Sequence, residues 1–341
     1  MSDSLERLPL LTAAIERFFA SPAASPPVAQ PLWVAYSGGE DSTALLMACK
    51  ALGLAFRAIH VNHQLQTVAN EMAQHCIAFC HAADIELQVL TVEVKRAGGE
   101  SLEAQARSSR YQAIARCMQE NGGGLLLTAH HQEDQIETAL IALFRGSGLE
   151  GLAGMAPVSP LPSSGSGLML GRPLLTVQKQ DIRVCVQQNG WTFFEDPSNA
   201  SDAFRRNWLR HQLLPQVEAQ FPQVRSSLLR LSRQVSAYKT EVRASSESLL
   251  AAVAAPEGYL RHAEFQLLNE GNKARLLRLW LSKSGIRINE LKTLELIRQL
   301  ESTKGGLRTV GGRWAVRVKR GQLTLEMDLN TVTNKDSESD A

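Results

Sequence analysis

From residue 32 onward the chain alternates short, almost wholly apolar runs with longer stretches of mixed polarity. The runs are LWVAY (32–36), AFRAIHVN (55–62), Leu87–Val94 and GLLLTAH (124–130). Around them, Ser42–Leu52, Thr67–Ala83, Ser101–Gln119 and Glu133–Phe144 place apolar residues at helical spacing. A run that is apolar at successive positions suits a strand covered on both faces, and intervening helices longer than about ten residues suit parallel crossovers. The pattern predicts an α/β domain, a parallel sheet wrapped by helices, that takes ligands beyond the carboxyl ends of its strands.

The flanks read differently. MSDSLERLPLLTAAIERFF predicts an amphipathic helix; its interspersed acids and missing basic lead-in are unlike a signal peptide. SPAASPPVAQP (21–31) cannot continue that helix and predicts a linker, so residues 1–31 precede a first domain over 32–218. The Gly-, Ser- and Pro-rich stretch Arg145–Gly167 predicts an extended loop able to cover a site. A helix over Thr176–Asn189, further helices through about Ala252, two helical stretches after Tyr259 and a strand-like end (RWAVRVKRGQLTLEM) follow. They predict a smaller, mainly helical C-terminal domain over 219–329, and the polar, acidic 330–341 predicts a disordered tail. No run of about 18 apolar residues occurs, so no spanning helix and no membrane partner are expected.

With 341 residues, 44% hydrophobic and 21% charged, the chain is neither collagenous, coiled-coil nor wholly disordered. Five cysteines, an odd number without a mark of secretion, predict reduced core thiols and a cytoplasmic location. Charge changes the picture more. Residues 1–150 carry 10 Lys and Arg against 16 Asp and Glu, whereas residues 151–325 carry 25 against 13. An acidic half and a basic half suggest different partners, with nucleic acid the first candidate for the basic half and a solvated face the alternative.

Ser37-Gly38-Gly39-Glu40-Asp41-Ser42-Thr43 joins the first predicted strand to the first helix. Two glycines allow close backbone approach, and the turn's N–H groups with the helix N-terminus can cradle an anion. Ser37, Ser42 and Thr43 add hydroxyls. Asp41 repels phosphate by itself but fits as a ligand of Mg²⁺ bound to phosphate. The Gly-Lys-Ser/Thr ending of a Walker loop is absent. A plain Gly-Gly turn with polar helix caps has the same composition.

The run Ser37-Gly38-Gly39-x-Asp41-Ser42 resembles the SGGxDS loop of the N-type ATP pyrophosphatases, which split ATP between its α and β phosphates and adenylate a substrate oxygen. Further runs narrow the resemblance to the tRNA(Ile)-lysidine synthetase family. These are Ile59–His63, Glu103-Ala104-x-Ala106-Arg107-x-x-Arg110-Tyr111, and Thr128-Ala129-His130-His131-x-x-Asp134-Gln135-x-Glu137-Thr138. Arg145–Gly148, Arg172–Leu175, Glu195-Asp196-x-Ser198-Asn199 and Arg206-Asn207-x-x-Arg210 continue the series in order. The resemblance implies a PP-loop catalytic domain over 32–218 and a C-terminal tRNA-binding domain over 219–329, without the second C-terminal domain of the longest members. It implies ATP and Mg²⁺, free L-lysine, a tRNA(Ile) with a CAU anticodon, and a possible homodimer. ATP would be held by Ser37, Gly38, Gly39, Glu40, Asp41 and Ser42, with Asp41 also touching Mg²⁺. Asp41, His130, Asp134, Glu137 and Arg206 would surround adenylate and lysine.

Glu40 departs from the apolar, small or basic residue expected at the loop's variable position, and is expected to point into solvent. His60 and His63 are expected to wall the nucleotide site, and Cys76 and Cys80 to pack in the core, with no Cys-x-x-Cys to support sulfur transfer. The spacing of His130, Asp134 and Glu137 predicts one helix face, catalytic or merely solvated, if the helix starts ahead of Glu133. Basic stretches over 203–240 and 302–325 offer Arg205, Arg210, Arg225, Arg230, Arg233, Arg313 and Arg317 to a tRNA backbone. Trp208, Trp280 and Trp314 suit base stacking or core packing. Another ATP-pyrophosphatase ligase or thiolase, and an inactive RNA-binding relative, are the competing readings.

Overall fold

The computed structural model describes residues 7–21, 31–63, 68–92, 102–147, 149–162, 167–196, 205–286, 288–302, 305–311 and 314–327. The expected tail and most of the expected linker lie outside the described residues. The first sheet has β1 (Leu32–Ala35), β2 (Arg57–Asn62), β3 (Leu87–Thr91), β4 (Leu125–Leu127), β5 (Val158–Pro160) and β6 (Met169–Gly171). Their order is β3-β2-β1-β4-β6-β5, parallel throughout except for β5. Successive residues of a strand face opposite sides, and here both sides are apolar because both are covered. Val34, Tyr36, Leu125 and Leu127 pack with α1 (Leu8–Ala20), α2 (Glu40–Ala51), α3 (Val68–Ala82) and α7 (Lys179–Gln188). Trp33, Ile59, Leu126 and Leu170 pack with Tyr111, Ile114 and Met118 of α4 (Leu102–Glu120). Strand order reverses between β1 and β4, so their carboxyl ends open a crevice, the usual place for a ligand in such sheets.

Two expectations need correction. Arg145–Gly167 is not simply an extended loop: it contains the short helix α6 (Leu149–Leu152) and the antiparallel edge strand β5. After α5 (Gln132–Phe144), α8 (Arg205–Trp208) and α9 (Leu214–Gln220), the 30-residue α10 (Val224–Val253) begins. The chain divides into two compact units, 1–236 and 237–341, so the division falls within α10 and not at residue 218. The physical reason is that Leu228 and Leu229 join the cluster of Ile136, Leu140 and Leu209, whereas Leu250 and Val253 belong to the second core.

The second unit contains α11 (His262–Gln266), α12 (Glu270–Lys283) and α13 (Glu290–Glu301). Beside these helices lies a four-stranded antiparallel sheet, which takes in the strand-like end read from the sequence: β7 (Leu260–Arg261), β8 (Gly306–Gly311), β9 (Trp314–Lys319) and β10 (Gln322–Met327), ordered β7-β10-β9-β8. Positive φ at Arg320 (49°) and Gly321 (76°) makes the tight turn joining β9 to β10. Trp280 is buried, with Nε1 donating to Gly258 O at 3.1 Å, so it is a core residue. Trp314 is half-buried against that core and Trp208 is exposed. No helix among the described residues is long and apolar enough to cross a membrane.

Candidate active site

The glycine turn follows β1. Gly38 has φ +88°, and a Cβ there would lie 2.8 Å from Cys76 Sγ, so both conformation and space require glycine. Gly39 is extended and caps α2, whose first two residues are Glu40 and Asp41. The hydroxyls are turned onto the turn itself. Ser37 Oγ and Ser42 Oγ are 3.0 Å apart, Ser42 Oγ donates to Gly39 O at 2.9 Å, and Thr43 Oγ1 donates to the same oxygen at 3.0 Å. They brace the shape of the turn, while the first-turn N–H groups of α2 lack intrahelical acceptors, as at any helix start.

Asp41 reaches across the crevice to Lys179 of α7 and to His131, whose Nε2 lies 3.6 Å from Oδ2. His131 is the N-cap of α5: its N–H donates to Asp134 Oδ2 at 2.9 Å, and Nδ1 lies 3.1 Å from Glu133 Oε2. Burial alone would lower the His131 pKa, but hydrogen bonds with Asp41 and Glu133 and the charge of Asp134 raise it to about 9. Burial pushes Asp41 up, and the His131 hydrogen bond and Lys179 outweigh it, leaving the carboxyl at about 2. Both partners therefore point the same way: an imidazolium ringed by carboxylates. Glu133 Oε2 also accepts from Lys179 N at 2.9 Å, capping the start of α7.

One turn along α5, Glu137 is fully buried and meets Arg210, with Nη2 2.6 Å and Nε 2.8 Å from Oε1. Burial raises the Glu137 carboxyl, against the pull of Arg210. Its Oε2 is buried with no hydrogen-bond partner among the described residues. Arg210 emerges from a π-helical turn, Leu209–Leu213, just before Pro215. Pro215 cannot donate to the carbonyl four residues back, which favours such widening. Arg206 Nη2 lies 3.4 Å from Thr138 Oγ1.

Asp41, Asp134, Glu137 and Arg210 thus converge. His130 does not share the α5 face of Asp134 and Glu137 as expected, because α5 starts only at Gln132 and His130 stays on the preceding loop. Its Nδ1 lies 2.8 Å from Thr128 Oγ1. Burial lowers its pKa, and Arg172, Arg206 and Arg107 lower it further against Asp134, so the ring is neutral. His60 is not a wall of the crevice: it is buried, 2.9 Å from Tyr36 O and 3.4 Å from Cys76 Sγ. His63 Nε2 accepts from Arg110 Nε at 3.1 Å, and burial first, then Arg110, brings its pKa to about 4. All five cysteines are buried, and burial holds the Cys76 thiol up at about 12.

Glu40 contradicts the expectation of exposure. Its side chain is 10% exposed, with Oε2 2.8 Å from Lys179 Nζ and Oε1 3.5 Å from Arg183 Nε. Tertiary structure brings the start of α7 beside the start of α2, and sequence spacing could not show that pairing. Lys179 and Arg183 were missed for this reason; His131 and Glu133 were missed although His131 stands in the Thr128–Thr138 run. Among the proposed tRNA contacts, Arg210, Arg225 and Arg317 are engaged internally, the last two with Glu218 and Glu326. Arg205, Arg230 and Arg233 are exposed. Gly148, Ser198, Asn199 and Arg313 lie outside the described residues.

Residues 11–217 match the PP-loop domain family. A tRNA(Ile)-lysidine synthase of Methylococcus capsulatus is 36% identical over 83% of this chain, and the match covers 64% of that protein, so the chain spans less than two thirds of its length. A tRNA(Ile)-lysidine synthase of Polaromonas naphthalenivorans is 33% identical, over 93% of this chain and 92% of its own. Among solved structures, the U34-tRNA thiolase NcsA of Methanococcus maripaludis superposes with a TM-score of 0.55 over 67% of this chain and 78% of its own, at 13% identity, a likeness of fold alone. With a PP-loop match over more than half of its length and a relative one third identical over more than nine tenths of both chains, the chain belongs to the tRNA(Ile)-lysidine synthase family.

Proposed function

We propose that the protein is an ATP-dependent ligase, acting in the cytoplasm, that joins free L-lysine to C2 of the wobble cytidine in the CAU anticodon of tRNA(Ile). In the first step cytidine O2 attacks the α-phosphorus of ATP; the O2–P bond forms, the P–O bond to the β-phosphate breaks, and pyrophosphate leaves. In the second, the lysine ε-amine attacks C2, the C2–O2 bond breaks, AMP leaves, and the nitrogen gives up its proton. Bringing the cytidine into the crevice costs a few kcal/mol of unstacking, least in a single-stranded loop.

The observation that carries this reading is the Asp41–His131–Asp134 bridge, which joins the glycine turn to the acidic start of α5. One end suits a polyphosphate, the other an amine. The helix-start N–H groups of α2 would take the leaving pyrophosphate. Asp41, ionised and one third exposed, is a hard oxygen donor of the kind Mg²⁺ takes and would hold the ion, which would neutralise phosphate charge there. Asp134 and the unpartnered Oε2 of Glu137 would hold lysine's ammonium groups. His130, neutral and loop-borne, is the member of the trio suited to accept the amine proton. Arg206 would meet the adenylate phosphate.

The test is incorporation of radiolabelled lysine into a CAU tRNA(Ile) transcript with ATP and Mg²⁺, with an elongator methionine tRNA as control. Label in the first alone is expected. RNA-dependent release of pyrophosphate without label would retain the adenylation and overturn lysine as the nucleophile.

A further inference from the structure

Glu40 and Lys179 present a charge problem that the proposed reaction does not resolve. Lys179 is the first residue of α7, where the positive end of a helix disfavours a cation. It is kept there by two consecutive carboxylates of α2, Glu40 at 2.8 Å and Asp41. Its backbone is fixed as well: Lys179 N donates to Glu133, and Gln132 N donates to Val177 O at 2.9 Å. Arg183, one turn on, meets the second oxygen of Glu40. Asp41 alone would neutralise Lys179. Glu40, a second carboxylate at 10% exposure beside a phosphate-binding turn and balanced by Arg183, is therefore not needed to neutralise Lys179 unless Asp41 has another partner when nucleotide is bound.

We propose that Lys179 is a phosphate ligand of the nucleotide and that Glu40 is its positioning residue, holding the ammonium at the glycine turn when Asp41 exchanges it for a divalent cation. This rests on the nucleotide reading above. Four groups, Glu40, Asp41, Lys179 and Arg183, balance in formal charge. Once Asp41 is engaged elsewhere, Glu40 becomes the remaining anchor of a four-carbon side chain with many rotamers, and Arg183 keeps Glu40 itself in place. Anchoring one such side chain in advance avoids the ordering cost at the moment of binding.

The sign of one substitution separates this from simple repulsion. If Glu40 only adds negative charge, Glu40→Gln tightens ATP binding. If it positions Lys179, Glu40→Gln weakens it. Equilibrium binding of ATP to the full chain, with and without Mg²⁺, and the KM and kcat of lysine transfer are to be compared for Glu40→Gln, Lys179→Met, Lys179→Arg and the Glu40→Gln/Lys179→Met pair. Glu40→Gln is expected to raise Kd and KM for ATP about tenfold while moving kcat and the KM for lysine less than about twofold. Lys179→Arg should bind ATP far better than Lys179→Met. In the Lys179→Met background, Glu40→Gln should lower the Kd for ATP, since only repulsion remains to be removed. Tighter or unchanged binding in Glu40→Gln alone, or equal losses in both backgrounds, overturns the proposal while leaving the nucleotide reading intact. Failure of the unaltered chain to bind ATP overturns both.

Discussion

Three carboxylates share His131, and its charge follows from them. A buried imidazole is ordinarily neutral; here Asp41, Glu133 and Asp134 hold the proton up to about pH 9. Because this lies above the ordinary value of 6.5, the stabilisation is complete below pH 6.5 and is lost as pH rises through about 9. Urea unfolding between pH 6 and pH 10 should show wild type losing about 2 kcal/mol more than His131→Gln across that window. Equal pH slopes for the two would mean that the ring is neutral. The sequence made Asp41 and the glycine turn readable because their chemistry is local to seven consecutive residues. The role of His131 was not readable, since its charge depends on Asp41, which only the fold brings to it. Glu40 was misread for the same reason: exposure is a property of what packs nearby, and α7 lies far along the chain.

At the scale of elements, Arg210 ties the π-turn to α5, pairing with Glu137 at 2.6 Å and with Asp134 at 3.9 Å. Breaking a buried pair costs about 3–5 kcal/mol when the remaining charge stays dry, and less here because the Arg210 side chain is 42% exposed and water can follow. Arg210→Ala should therefore destabilise the protein by about 2 kcal/mol, and adding Glu137→Gln should recover part of that loss in a urea melt. An additive double variant would show that the two residues act separately. The long apolar runs gave four of the parallel strands, β1 to β4, and their helices directly; β6, three residues long, offers too short a run to be read as a strand. The edge strand β5 was not readable, because VSP includes a proline and polar surface and lies half outside the core. The β9–β10 hairpin was partly readable: alternation in RWAVRVKRGQLTLEM marked a strand, and the Arg320–Gly321 turn divides it.

Across the whole molecule, charge is distributed unevenly, with the acidic excess before residue 150 and the basic excess after it. The structure divides the basic residues further. Arg210, Arg225 and Arg317 serve internal carboxylates, leaving Arg205, Arg230 and Arg233 exposed in the first unit. If these meet a tRNA backbone, replacing all three with Ala should reduce the slope of log affinity against log salt by about two to three. An unchanged slope would assign tRNA binding to other residues. The ion-pair set at the glycine turn also has a consequence for descent. Glu40, Asp41, Lys179 and Arg183 compensate one another, so a change at one alters the fitness of change at the others. Glu40 is offset by Lys179 and Arg183 of α7, and Lys179, at the start of that helix, is offset by Glu40 and Asp41. Such positions are coupled: exchanging Glu40 for an apolar residue leaves Arg183 without its carboxylate while Asp41 still neutralises Lys179, so the cost of a change at the loop's variable position depends on what α7 carries.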